Sequence, residues 1–150
     1  MSKFKSTKTY KSNKGFSCTF RQFKATSHCK YLHGYSLEIN LEFEANALDE
    51  RNWVVDFGGL KDLENKFRET FDHKTIIDKN EPHIEWFKTG QSLGLLDLVI
   101  LDDGVGCEMF ALKVYKITEK WLNVSEFEGR CKVTKVEVSE HGANSAIYLP

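Results

Sequence analysis

The sequence lacks a long apolar run. Its longest candidate, Leu93–Leu101, is broken by Gly94 and Asp97 and falls well short of the roughly 20 residues a helix needs to cross a bilayer. No membrane-spanning helix is expected. Paired cysteines are missing as well: Cys18, Cys29, Cys107 and Cys131 include no CxxC, which excludes a zinc ribbon or a thioredoxin-like motif and leaves reduced thiols as the expectation. Proline is scarce, and both prolines, Pro82 and Pro150, stand outside the strongly periodic segments. Neither sign of charge dominates, and a formal net charge of −1 argues against a dedicated nucleic-acid binder. Met1–Gly15 carries no apolar stretch of the kind a secretory signal requires, so export is not indicated and a cytoplasmic location is expected.

What is present suffices for one domain over residues 1–150. Hydrophobic residues make up 41% and charged residues 29%, a balance able to offset the entropy of ordering the chain. Charge is nonetheless uneven. Lys3, Lys5, Lys8, Lys11 and Lys14 fall in the opening segment with no acid among them, and residues 1–14 are expected to be a flexible, solvated tail.

From Tyr35 to Glu44, Tyr35, Leu37, Ile39, Leu41 and Phe43 alternate with polar residues, a period of two that specifies a strand with one wet face. Phe16, Cys18 and Phe20 alternate in the same way and predict an earlier strand pairing with it, with Cys18 pointing inward. Val136 and Val138 share a face with Glu140, and Ser145–Leu149 reads as a closing strand after a turn at His141–Asn144. Leu60, Leu63, Phe67 and Phe71 recur at helical spacing behind Asp56 as the expected cap, and Phe110, Val114, Ile117 and Trp121 do so within a helix over about Cys107–Leu122. Pro82–Thr89 is read as a short helix and Leu95–Leu101 as a strand or buried run. The order of elements indicates an α+β fold with helices on one face of an antiparallel sheet.

Three places carry groups suited to chemistry. Cys29 and His33 flank the entry to the best strand, where a thiol near a cation or base can abstract protons; a buried thiol and a core imidazole fit the same spacing. Asp72-His73 ends a helix, and a carboxylate beside an imidazole raises its basicity, although capping and exposure account for the pair equally well. Glu140 falls inward by parity, where an unpaired carboxylate is costly unless a ligand or donor satisfies it; an acid at a strand end can also reach solvent.

Phe16-Ser17-Cys18-Thr19-Phe20, Cys29 to Ser36, Trp53-Val54-Val55-Asp56-Phe57 followed by Leu60, Phe71-Asp72-His73 and Val138-Ser139-Glu140 occur in the order and spacing of the 6-pyruvoyltetrahydropterin / 6-carboxytetrahydropterin synthase family. The chain resembles it over nearly its whole length, apart from the Lys-rich start and Lys79–Asp103. The resemblance implies a tunnelling fold, an antiparallel sheet with two helices on one face, whose sheets join into a barrel on oligomerisation to a trimer or hexamer. It implies a lyase acting on a pterin, 7,8-dihydroneopterin triphosphate. By position, Cys29 resembles the proton-abstracting thiol, Asp72 and His73 the pair that activates it from a neighbouring subunit, and Glu140 the carboxylate that anchors the pterin ring.

Two departures stand out. Family members bind zinc through three histidines, and here Phe20 takes the first position and Tyr35 the third, leaving His33. Either the high-affinity zinc site is lost, or Cys18 and His28 join His33 in a rebuilt one. Gly106-Cys107-Glu108 replaces a small-hydroxyl pair before the second helix. The 6-carboxytetrahydropterin branch, which feeds deazapurine and queuosine precursors, is the first expectation for function. The alternatives are a 6-pyruvoyltetrahydropterin synthase-like enzyme, a metal-independent enzyme on a related pterin, and a non-catalytic pterin- or purine-binding oligomer.

Overall fold

The alternating segment forms the spine of the sheet, strand β3 (His33–Ala45), numbered after β1 (Phe4–Tyr10) and β2 (Phe16–Phe20). In the computed structural model, which describes residues 2–150, β3 pairs along one edge with β6 (Lys132–His141), Glu38 opposite Ser139 and Leu41 opposite Val136. Its other edge takes two partners in succession. β2 pairs antiparallel with the first half, from Phe20 opposite His33 to Phe16 opposite Leu37, and β1 with the second, from Tyr10 opposite Ile39 to Phe4 opposite Ala45. Between them Lys11–Gly15 leaves the sheet in a single tight turn that closes on Gly15 at φ 84°, a left-handed conformation suited to glycine.

The expected solvated tail is therefore a strand from Phe4 onward. Its lysines concealed it. Lys3 and Lys5 lie on the wet side and meet Glu44 at 2.9 Å and Glu42 at 2.7 Å, while Tyr10 enters the core, donates its hydroxyl to the Leu60 carbonyl at 3.0 Å and packs edge-on against Phe67. Phe, Thr and Tyr between the lysines favour a strand, and charge on the outer face does not oppose one.

The remaining elements are α1 (Leu60–Phe71), β4 (Lys74–Asp78), α2 (Ile84–Ser92), β5 (Leu98–Leu101), α3 (Cys107–Asn123) and β7 (Asn144–Tyr148). The strand order is β5-β4-β2-β3-β6-β7, with β1 also on β3. This sheet is mixed rather than wholly antiparallel: β4 runs parallel to β2, and β5 parallel to β4. Parallel pairing requires a long crossover, and α2, over much of the short helix expected at Pro82–Thr89, provides it between β4 and β5, the latter lying within the run expected at Leu95–Leu101. Asp56 does not cap α1. That helix starts after Gly59 with no side-chain cap, and the Asp56 carboxylate instead accepts the Gly58 N–H at 2.8 Å in the preceding turn.

Leu37, Ile39, Leu41 and Phe43 of β3 are fully buried against Leu60, Leu63, Phe67 and Phe71 of α1 and Phe110, Ala111 and Val114 of α3. Thr118, not Ile117, takes the buried place in the third turn of α3 and turns its hydroxyl back to the Val114 carbonyl at 2.8 Å. The helices cover β3 only in part. Tyr35 and His33, on the same face, remain half-buried.

Replacing Tyr10 by Ala should lower stability by about 3–5 kcal/mol, the range for deleting a buried aromatic ring, measured by urea denaturation. A change within about 0.5 kcal/mol would match a solvated tail instead.

Candidate active site

Residues opposite one another in an antiparallel pair share a face, so the register of β2 on β3 groups Cys18 with Tyr35 and Phe20 with His33. The close approach of these strands depends on Gly34, where a Cβ would lie 2.3 Å from the Cys18 carbonyl oxygen. No other residue fits. Phe20 is buried edge-on against Phe110, with ring centroids 5.0 Å apart. His33 lies 4.8 Å from Phe20 and Tyr35 6.1 Å, and the two are 5.6 Å from each other. His141, just before the β6–β7 turn, approaches Tyr35 from the other side at 6.0 Å.

Glu140 reaches this cluster from β6 on the face of Val136 and Val138. It is half-buried; among the described residues its carboxylate takes no hydrogen bond and no ion pair, and its oxygens keep contact with solvent. Its charge is felt by its neighbours. Partial desolvation, then Glu140 and the Cys29 and Cys107 thiols, push the Tyr35 phenol above its ordinary range. Burial and then Glu140 push Cys107 up to about 11, so it stays a neutral thiol, donating to the Val138 carbonyl at 2.8 Å. At the start of α3, Gly106 at φ 111° leaves room for the Gln22 amide, whose Nε2 would lie 2.5 Å from any Cβ there.

Cys29 sits half-buried in a tight turn, His28–Lys30, capped by Ser27, whose hydroxyl accepts the Cys29 N–H at 3.3 Å. Its carbonyl accepts the Gln22 N–H at 3.0 Å, which ties the turn to the far end of β2. Asp72 and His73 lie at the near end, where the His73 N–H donates to the Ser17 carbonyl at 2.6 Å. Asp72 Oδ1 is 2.5 Å from His73 Nδ1, and Oδ2 takes Arg68 at 3.1 Å. Burial pulls the Asp72 carboxyl upward, but His73 and Arg68 outweigh it and hold it below its ordinary value. The imidazole itself is 87% exposed on a backbone at φ 58°. One chain thus brings Cys29, His33 and Glu140 around Tyr35 and presents Asp72 and His73 elsewhere. Gln22 and His141 were not singled out from sequence; only the register and the β6–β7 turn bring them in.

Three imidazoles on one tetrahedral zinc, with Zn–N about 2.0–2.1 Å, would have ring centroids roughly 5 Å apart. The triangle Phe20, His33, Tyr35 retains nearly that spacing, but the donors do not fit zinc. Phe20 offers no lone pair, Tyr35 is a neutral phenol, and only His33 can ligate. Cys18 is 3% exposed, and burial pushes its thiol up to about 12, away from the thiolate a metal requires. His28 is exposed on the turn that carries Cys29. Among the described residues no three His, Cys, Asp or Glu side chains are placed to hold a metal, so Cys18, His28 and His33 do not assemble a replacement site.

The curled mixed sheet, the helices on one face and the thiol, phenol and carboxylate gathered where β3, β6 and α3 meet define a tunnelling-fold subunit. Residues 9–150 match 6-pyruvoyl tetrahydropterin synthase, and the chain belongs to that family. It is 27% identical over 135 residues to the 6-carboxy-5,6,7,8-tetrahydropterin synthase of Aquifex aeolicus, covering 89% of this chain and 83% of that one. In fold it is similar to protein WS1659 of Wolinella succinogenes, with a TM-score of 0.82, 18% identity and 99% of each chain covered. The 6-pyruvoyltetrahydropterin synthase of Plasmodium vivax superposes with a TM-score of 0.72 at 18% identity, covering 99% of this chain and 98% of that one. No helix is long and apolar enough to cross a membrane among the described residues.

Because the backbone keeps the ligand spacing, Phe20→His combined with Tyr35→His should yield a protein that retains one zinc per chain through dialysis, read by metal analysis. A folded double variant without zinc would show that the spacing has been lost.

Proposed function

We propose that the chain is a pterin-processing lyase of the 6-carboxytetrahydropterin synthase type, acting on 7,8-dihydroneopterin triphosphate in the formation of deazapurine precursors. The observation that carries this reading is Glu140, a half-buried carboxylate at a strand end with no protein donor. Its oxygens keep contact with solvent and are open to the donors of a ligand. The pyrimidine edge of a pterin offers two adjacent N–H donors, and a carboxylate accepts both, fixing orientation along with affinity. The Aquifex relative, similar over most of its length, supports the choice of pterin chemistry.

In this reading Glu140 holds the ring and directs the substituent toward Cys29, whose thiolate takes a proton next to a carbonyl or hydroxyl of the side chain. Asp72 and His73 serve from a second copy of the chain. Within one chain they lie at the opposite end of β2 from Cys29, and the imidazole is exposed while its Nδ1 is held by Asp72. That division needs an oligomer, a trimer or hexamer. The outer strands β5 and β7 leave open edges that a neighbouring copy would pair.

Glu140→Gln should weaken binding of a dihydropterin by about 1.5–3 kcal/mol, the range for a hydrogen bond to a charged group, as measured by calorimetry; unchanged affinity would remove the anchor role. Light scattering should report a trimer or hexamer, and a monodisperse monomer would contradict a site shared between copies.

A further inference from the structure

The triangle at the mouth of the site keeps the geometry of three ligands and the chemistry of one. Of its side chains only Tyr35 carries a neutral donor that can face a ligand. His33 Nδ1 lies 2.7 Å from the Tyr31 carbonyl, an oxygen that can only accept, so the proton on Nδ1 is already engaged. Cys107 is already donating to Val138, Phe20 has no polar atom, and Glu140 only accepts. The Tyr35 hydroxyl engages no protein acceptor among the described residues, and its ring is flanked by Phe20 and His33 on one side and His141 on the other. Its hydrogen is free while its position is not.

We propose that Tyr35 has taken the metal's place in this site: its hydroxyl donates a hydrogen bond to an oxygen on the side chain of the bound pterin, and the site works without zinc. The proposal rests on the pterin reading. Tyr35 shares its surroundings with both Glu140, which would anchor the ring, and Cys29, which would receive the proton. The substituent of a ring held by Glu140 and directed toward Cys29 therefore passes the phenol. An O–H fixed beside an oxygen that gains charge as the proton leaves is a preorganised donor. It works as a neutral acid, since a phenol with an ordinary pKa of about 10 keeps its proton at neutral pH.

Calorimetric titration with two probes tests this: 7,8-dihydroneopterin, whose side chain carries hydroxyls, and 6-methyl-7,8-dihydropterin, which has no side-chain oxygen. Tyr35→Phe should weaken dihydroneopterin roughly three- to tenfold, the effect of one neutral hydrogen bond, and leave the methyl compound unchanged, which also reports an intact fold. Glu140→Gln should weaken both alike. Wild-type protein purified without chelators and dialysed should contain well under one zinc per chain. If both probes bind and Tyr35→Phe affects neither, or both equally, the Tyr35 contact is overturned while the pterin reading stands. If neither probe binds the wild type, the pterin reading fails and takes the contact with it. Stoichiometric zinc surviving dialysis overturns the metal-free site.

Discussion

The period of two along β3 is the constraint on which the rest depends. Leu37, Ile39, Leu41 and Phe43 must all face the helices, because shifting the register by one residue would send every one of them to the wet side. The same parity carries His33 and Tyr35 onto the helix-facing side, where they stay half-buried. There the core pattern continues with incomplete cover. The site is this overhang: a stretch of core-facing surface whose side chains meet a ligand instead of α1 or α3. Glu140 follows the same rule on β6, two residues beyond Val138.

Much of this was legible because alternation and helical spacing are strong signals when one face is buried. β2, β3, α1, α3 and the closing hairpin could be read directly, as could the inward parity of Cys18 and Glu140. β1 was hidden by its lysines: Lys5 lies on the outer face, but Lys8 takes an inner position opposite Leu41 with its ammonium over the Tyr10 ring, so the inner positions Phe4, Ser6, Lys8 and Tyr10 do not read as an apolar alternation. The parallel pairing of β4 with β2 left no local mark, because strand direction is decided by the path of the chain between strands. Asp56 carries the residue type of a helix cap, yet Gly58 and Gly59 put the helix start too far on for its side chain to serve.

The site was legible in residue types and less so in assembly. Cys29, His33, Tyr35 and Glu140 come from segments far apart in sequence and meet only through the β2–β3 and β3–β6 registers. His141 stands in a turn, and nothing in the sequence signals that it packs against Tyr35. The aromatic triangle separates placement from reactivity. Gly34 and the strand register fix where three side chains point, and the side chains alone decide whether a metal can bind there.

The two-sided pairing of β3 also bears on how the chain is made. One edge is filled by β1 and β2, which emerge from the ribosome before it, and the other by β6, about a hundred residues later, a separation that raises contact order and slows folding. During synthesis, then, β3 waits with one edge bare and its apolar face only partly roofed by α1. Until β6 arrives, the nascent chain exposes the very strand to which other copies could add, so the stretch between α1 and β6 is the interval in which a chaperone would matter most.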